Sequence, residues 1–129
     1  MLQSFLQGKT CELYHDLTVR FNKETVVRPD ICVVCDPDKF NDREYNGAPD
    51  LIIEILSPSN AGSDLFTKRS HYLLASVKEY WIVDPINNTV IVNILEDGEY
   101  QGTLYSKKDI IPVTALPGCE IDLSAIFAK

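Results

Sequence analysis

The sequence predicts a mixed α/β (α+β) fold, in which several strands form one sheet and helices pack against it. Residues 51–56, Leu-Ile-Ile-Glu-Ile-Leu, form a short β-branched apolar run that is typical of a strand buried on both faces. A helical stretch follows at residues 63–76, and a second apolar run covers residues 80–83. Strand, helix and strand within this length indicate a βαβ-like unit at the centre of the fold.

The other elements are predicted from alternation and from turn residues. Before the central unit they are a helix end at residues 2–7 closed by Gly8, one bent or two short strands at 11–21, a turn at 22–25, a buried strand at 31–35 and a polar loop at 36–47. After it they are a hairpin of strands 89–95 and 99–105, a short strand within 109–115, a turn at 116–120 and a helix at 123–127 capped by Asp122. Helical spacing predicts the buried side of the central helix, which comprises Leu65, Tyr72, Leu73 and Val77.

Length and composition predict a single globular domain that spans residues 1–129. No apolar run approaches the roughly 18 residues of a membrane span, and the first residues lack the apolar core of a signal peptide. We therefore expect a cytoplasmic protein without a membrane partner. The net charge of −7 disfavours a protein that coats nucleic acid, because such proteins are basic. The charge does not exclude a nuclease that carries a local basic strip. The candidate members of such a strip are Lys68, Arg69, Lys78, Lys107 and Lys108, although scattered surface charges are the simpler interpretation.

Four cysteines stand at positions 11, 32, 35 and 119. The spacing of Cys32 and Cys35 is typical of zinc or redox sites, but both lie in the strand-like run 31–35. Positions an odd number apart on a strand face opposite sides of the sheet. We therefore predict that these two thiols point apart, are reduced, and act as small buried side chains.

Two Pro-Asp pairs, ending in Asp30 and Asp50, precede two consecutive buried strands. One polar loop connects these strands, so an antiparallel hairpin is the simplest arrangement. The start of the first strand then lies beside the end of the second, which brings Asp30 to Glu54 and leaves Asp50 at the far, loop end. Burial inside its strand is expected to raise the pKa of Glu54 and to favour a bound cation.

Two carboxylates in a partly buried place suit Mg²⁺, with water and phosphate oxygens as its other ligands. Such a metal lowers the pKa of an attacking water, and a nearby lysine can stabilise the developing charge. Simpler interpretations remain. Asp after Pro is a common turn residue. Glu54 can pair with a basic residue of the next helix, namely Lys68, Arg69 or His71, and Lys68 can pair with Asp64 four residues earlier.

The order of these motifs resembles a large bacterial family of restriction endonucleases of the Uma-two type, within the PD-(D/E)XK nuclease superfamily. The motifs are Pro29-Asp30, residues 49–59 (PDLIIEILSPS), an Asp-x-x-x-Lys with a downstream Tyr, and residues 79–85 (EYWIVDP), and the resemblance covers about residues 26–100. It implies a restriction-endonuclease-like mixed β-sheet flanked by helices, with the active site on a β-hairpin. It also implies that Asp30 and Glu54 hold Mg²⁺ and that DNA is the substrate.

The chain departs from the superfamily pattern at two places. Leu56 stands where the superfamily has its lysine, two residues after the motif glutamate. The resembling family moves this lysine onto the next helix, which implies that Lys68 is the third catalytic residue. Family members also have more chain before the first strands, so we expect an N-terminally shortened domain and assign no role to Glu12.

Two functions stay open at this point. The first is a Mg²⁺-dependent DNA endonuclease that hydrolyses phosphodiester bonds with a metal-activated water, through Asp30, Glu54 and Lys68. The second is a binding or structural module that keeps the nuclease fold without cleavage, which the net charge of −7, the short start and Leu56 favour. Since a shortened start leaves apolar surface uncovered, we also expect a homo-oligomer, with a dimer favoured.

Overall fold

The computed structural model describes residues 10–41, 43–57 and 63–127 of the chain. In chain order its strands are β1 (Glu12–His15), β2 (Thr18–Arg20), β3 (Val26–Val27), β4 (Ile31–Val34), β5 (Phe40–Asn41), β6 (Glu44–Asn46), β7 (Leu51–Ile55), β8 (Glu79–Asp84), β9 (Thr89–Glu96), β10 (Glu99–Ser106), β11 (Ile110–Pro112) and β12 (Glu120–Asp122). Its helices are a 3₁₀ turn at Pro37–Lys39, α1 at Ser63–Leu74 and α2 at Leu123–Ile126.

A main sheet of six strands in the order β1-β4-β7-β8-β9-β10 forms the centre of the described structure. Strands β7 and β8 are parallel, and α1 supplies the crossover that a parallel pair needs. The other neighbouring strands of this sheet are antiparallel. The predicted mixed sheet with helices is therefore confirmed. Two smaller sheets accompany it within the described ranges, one of β3, β2, β6 and β5 and one of β11 and β12.

The two faces of the main sheet carry separate apolar cores. In β7, Leu51 and Ile53 belong to one core and Ile52 to the other, and all three side chains are buried. The strand is thus buried on both faces, as its apolar run predicts. The first core is closed by the β11–β12 pair and by α2, through residues such as Ile111 and Leu123.

The second core lies on the side of the main sheet that carries α1, called the helix side below. Helix α1 contributes Tyr72, and the small four-stranded sheet contributes Tyr45. The predicted buried side of the helix is confirmed at Tyr72, which is fully buried, and at Leu73, which packs partly against the same core. Val77 is also fully buried, but it lies beyond the end of α1 at Leu74, in the connection to β8. The prediction for Leu65 falls outside the described side chains.

Residues 36–47 are more structured than the predicted polar loop. They form the 3₁₀ turn and strands β5 and β6. The rings of Phe40 and Tyr45 lie 5.1 Å apart, and the ring of Tyr14 lies 5.5 Å from Phe40. The packing of two aromatic side chains therefore orders a segment whose other residues are typical of a loop. The overall polar composition of the segment does not indicate these strands.

The carboxyl-terminal elements follow the prediction with one addition. The β9–β10 hairpin turns at Asp97 and Gly98, whose φ angles of 51° and 81° are the positive values that a tight hairpin turn requires. Oδ1 of Asp122 accepts the N–H of Ser124 over 3.0 Å and caps α2. Strand β12 was not predicted, because three residues with the single buried side chain of Ile121 give too short an alternation.

The cysteine prediction is right for one thiol and wrong for the other. Cys32 is free and faces the helix side, whereas Cys35 packs against the opposite core, so the two point apart as expected. Cys35, however, forms a disulfide with Cys11. The register of β1 on β4 pairs Glu12 with Val34 and brings Cys11 opposite Cys35, with their Cα atoms 4.0 Å apart. This pairing depends on strand register, which the C-x-x-C spacing does not report.

Some predictions concern residues that lie outside the described ranges. These are the helix end at residues 2–8, the turn residues 58 and 59, and the side chain of Asp64. Across the ranges that are described, no helix is both long and apolar enough to cross a membrane.

Candidate active site

The ends of β4 and β7 bring two carboxylates together. Ile31 pairs with Ile53 in the antiparallel register, so Asp30 and Glu54 take the next positions at one end of the hairpin. The backbone N–H of Asp30 donates to Oε1 of Glu54 over 3.1 Å. The N–H of Ile55 donates to Oδ2 of Asp30 over 2.8 Å. Each acidic side chain is therefore held by the backbone of the strand opposite.

Asp50 lies at the other end of the same hairpin. Its Oδ2 accepts the N–H of Cys35 over 2.8 Å, and its own N–H donates to the carbonyl of Val33 over 2.9 Å. These contacts fasten the end of the loop between β4 and β7. Asp50 is thus separated from the other two carboxylates by the length of the strands.

Glu54 is a buried carboxylate surrounded by donors. Only 2% of the residue is exposed. Its Oε2 accepts a hydrogen bond from the hydroxyl of Tyr72, and Nζ of Lys68 lies 3.5 Å from the same oxygen. Burial raises the pKa of Glu54, while the hydrogen bonds from Tyr72 and Asp30 and the charge of Lys68 act against that rise. A desolvated carboxylate of this kind gains strongly from a bound cation.

Lys68 and Tyr72 both reach Glu54 from α1. They stand four residues apart, so they share one face of the helix. The ring of Tyr72 is held edge-on by Tyr80, with ring centroids 4.9 Å apart, and by Phe21, at 6.2 Å. Burial and the neighbouring Glu54 raise the pKa of Tyr72. Its hydroxyl is consequently a proton donor to the carboxylate.

The contact between Tyr72 and Glu54 was not predicted from the sequence, which identified Tyr72 only as a buried helix residue. A signal for it exists, because Tyr72 follows Lys68 at the helical spacing that puts both on one face. Leu56, two residues after Glu54, packs its side chain against the helix-side core. The cation beside Glu54 comes from α1 instead.

The other basic residues considered from the sequence lie elsewhere. The guanidinium of Arg69 sits 5.5 Å from the ring centre of Tyr100. His71 lines a small cavity beside Phe21, and Lys78 lines a groove near Asp50 at the far end of the sheet. Of the three basic partners considered for Glu54, the ion pair is made by Lys68.

The donor set at this end of the sheet suits a hard divalent cation. Asp30 and Glu54 offer carboxylate oxygens, the ligand type that Mg²⁺ takes in proteins. Nowhere in the described ranges do three or more His, Cys, Asp or Glu side chains form a cluster fit for a metal. Two carboxylates leave several coordination positions to water and substrate oxygens, which is the usual way in which Mg²⁺ binds. The residues present therefore fit Mg²⁺ that keeps several ligands from outside the protein.

Comparison with known proteins adds a family and a fold. The sequence model of the Uma2 family, described as "Putative restriction endonuclease", matches residues 1–124. A solved structure from Anabaena variabilis, described as "a putative nuclease belonging to DUF820", is similar with a TM-score of 0.80 and 20% identity, over 98% of this chain and 74% of that one. A structure of a DrdV–DNA complex is similar with a TM-score of 0.44 and 17% identity, over 80% of this chain and 9% of that one. No curated protein matches the sequence.

Proposed function

The chain belongs to the Uma2 family of "putative restriction endonucleases", and from this membership and the site geometry we propose that it is a Mg²⁺-dependent DNA endonuclease. The reaction is hydrolysis of a phosphodiester bond by water. The observation that carries the proposal is the meeting of Asp30, Glu54 and Lys68 at one end of the main sheet.

Asp30 and Glu54 are proposed as the metal ligands. When bound, Mg²⁺ supplies Lewis-acid polarisation of the phosphate and lowers the pKa of the attacking water. The contacts described above fix both side chains before any ligand arrives, since each is held by a backbone N–H of the neighbouring strand. Such preorganisation is what makes charged groups effective in catalysis.

Lys68 is proposed to stabilise the negative charge that develops on the phosphate. Its side chain is 30% exposed, so it stands at the border between the buried Glu54 and the solvent. An ammonium in that position faces a substrate that carries its charge on phosphate oxygens. The same role explains why a core leucine is tolerated at position 56, because α1 provides the cation.

The decisive experiment compares wild-type protein with Glu54→Gln on supercoiled double-stranded DNA and on single-stranded DNA, with Mg²⁺, Mn²⁺ or EDTA. We expect metal-dependent cleavage by the wild type and none by Glu54→Gln. Glu79→Gln is the matched control, because Glu79 is also a fully buried glutamate but lies on β8 and binds Trp81 and Ala115. Cleavage that survives in Glu54→Gln would contradict the assignment.

The alternative is a nuclease-fold module that binds without cleaving, and the net charge of −7 and Leu56 favour it. The same experiment separates the two functions. Binding of DNA by the wild type without cleavage under any metal condition would establish the alternative.

We also propose that the partner in solution is a second copy of the chain. Phe66 and Leu74, eight residues apart on α1, are 72% and 85% exposed. Large apolar side chains that share one exposed side of a helix are typical of an interface. Sedimentation velocity should give a dimer for the wild type and a monomer for the double variant Phe66→Ser, Leu74→Ser. A monomeric wild type at micromolar concentration would overturn this proposal.

A further inference from the structure

One oxygen of Glu54 is shared by two groups of α1. Oε2 accepts the hydroxyl of Tyr72, and the ammonium of Lys68 stands 3.5 Å away. Charge-assisted N–H···O bonds are normally about 2.7–2.9 Å long. The lysine therefore forms an ion pair with the carboxylate without making a close hydrogen bond to it.

The hydrogen bond from Tyr72 explains why the buried carboxylate of Glu54 does not require a close hydrogen bond from Lys68. A buried anion needs donors, and an unmet acceptor in the interior is costly. The hydroxyl of Tyr72 donates a hydrogen bond to Oε2, and the backbone N–H of Asp30 donates one to Oε1. Without the hydroxyl, the ammonium of Lys68 can move from 3.5 Å onto Oε2, because it sits on a flexible four-carbon stem.

The hydroxyl itself has little freedom to move. Tyr72 is fully buried. Its ring contacts the rings of Phe21 and Tyr80, both of which meet it edge-on. Tyr80 in turn lies 6.1 Å from Tyr100, across the helix side of the sheet. The position of the donor is thus set by a row of aromatic side chains and not by the chain of α1 alone.

We propose that Tyr72 is a positioning residue, which fixes the carboxylate of Glu54 and keeps the ammonium of Lys68 from closing onto it. The inference rests on the proposed metal-dependent nuclease. Its consequence is that Glu54 stays open to a divalent cation while Lys68 stays directed at the substrate. Tyr72 acts through these two residues and touches neither the metal nor the DNA.

The test is a Mn²⁺ titration by calorimetry, with kcat and KM measured in parallel on DNA. Tyr72→Phe keeps the ring and its edge-on contacts and removes only the hydroxyl. We expect it to weaken Mn²⁺ binding by about 10- to 100-fold, the usual effect of losing a group that orients a metal ligand, and to lower kcat with little change in KM. Tyr100→Phe is the matched control, since it removes another buried hydroxyl, which donates to the carbonyl of Val77 over 2.7 Å. It should match the wild type in Mn²⁺ affinity.

A second comparison isolates the lysine. In a Lys68→Met background no ammonium can compete for Oε2, so Tyr72→Phe should change Mn²⁺ affinity much less than it does in the wild type. An equal loss in both backgrounds would overturn the part of the proposal that concerns Lys68.

The outcomes distinguish the positioning role of Tyr72 from the proposed nuclease function. Wild-type protein that binds Mn²⁺ and a Tyr72→Phe variant that binds it equally well would overturn the positioning role and leave the nuclease proposal intact. Wild-type protein that binds no Mn²⁺ would remove the proposed function and the positioning role with it.

Discussion

Asp30 and Glu54 hold each other in place across the ends of two antiparallel strands. The amide of Asp30 binds the carboxylate of Glu54, and the carboxylate of Asp30 binds the amide that follows Glu54 in the chain, at Ile55. The pair is therefore part of the strand pairing itself. A change in the register of β4 on β7 would separate the two acids, so the fold and the site depend on the same hydrogen bonds.

The first prediction concerns the two Pro-Asp residues. Asp30→Asn should lower metal-dependent cleavage by about 100-fold or more, as the loss of a group that organises transition-state charge does. Asp50→Asn should have little effect, because the amide oxygen of asparagine can still accept the N–H of Cys35. Initial rates of plasmid nicking, measured at equal protein concentration, check both. A silent Asp30→Asn together with an inactive Asp50→Asn would reverse the assignment.

The second prediction concerns Lys68. Lys68→Met removes the charge and keeps most of the apolar stem, so we expect kcat to fall by about 10²- to 10³-fold while the fold is retained. Lys78→Met is the matched control, since Lys78 lies near Asp50 at the far end of the sheet. Circular dichroism melts show whether both variants are folded. Full activity of Lys68→Met would remove the lysine from the mechanism.

The third prediction concerns Glu79 and pH. Burial raises the pKa of Glu79 above its ordinary value of 4.5, although hydrogen bonds from Trp81 and Ala115 oppose the rise. A raised folded-state pKa gives stability that is complete below the unfolded-state pKa and is lost as the pH rises through the folded-state pKa. Glutamine does not titrate. The free energy of unfolding of the wild type should therefore decline relative to that of Glu79→Gln as the pH is raised from 4.5.

Urea unfolding of the two proteins between acid and neutral pH measures this difference. Glu79→Gln is expected to be the less stable protein at low pH, because its amide group faces donors at Trp81 and Ala115. The difference in free energy of unfolding between the two proteins should become smaller as the pH rises. If this difference instead becomes larger, ionisation of Glu79 stabilises the fold and the prediction is wrong.

The fourth prediction concerns the disulfide. Cys11 and Cys35 are 24 residues apart in sequence, and closing a loop of that size is worth about 3.5 kcal/mol in the chain-entropy account. Reduction should lower the free energy of unfolding by about that amount. Alkylation of the unreduced, denatured chain, read by intact mass, should label Cys32 and Cys119 and leave the bonded pair unlabelled. Labelling of all four cysteines would show that the bond is not formed.

The sequence predicted the parts of this structure that depend on local pattern. The apolar run of β7, the helix before β8 and the turn at Gly98 all follow from periodicity and turn chemistry. Strands β3, β5, β6 and β12 were not predicted, because each has only two or three residues. Segments this short show no alternation, and β5 and β12 are held by packing of Phe40 on Tyr45 and of Ile121 in the first core.

The same distinction between local pattern and long-range placement applies to the candidate site. The proximity of Asp30 and Glu54 could be predicted, because a single polar connection between two consecutive strands favours an antiparallel hairpin. The hydrogen bond from Tyr72 and the disulfide from Cys11 could not be predicted from local patterns. Both depend on how an element is placed across the sheet, namely the rotation of α1 and the register of β1, and neither is written in a single stretch of sequence.

The parallel pairing of β7 with β8 also sets when the site can form during synthesis. Asp30, Glu54, Lys68 and Tyr72 all leave the ribosome before residues 79–84, the strand that α1 crosses over to reach. Until that strand pairs with β7, Tyr72 lacks the ring of Tyr80 that holds it over Glu54. Long-range parallel pairing is slow compared with hairpin closure, so a nascent chain with every proposed catalytic residue already exposed still lacks an assembled site. The order of the elements along the chain thus delays assembly of the proposed site until the centre of the sheet is complete.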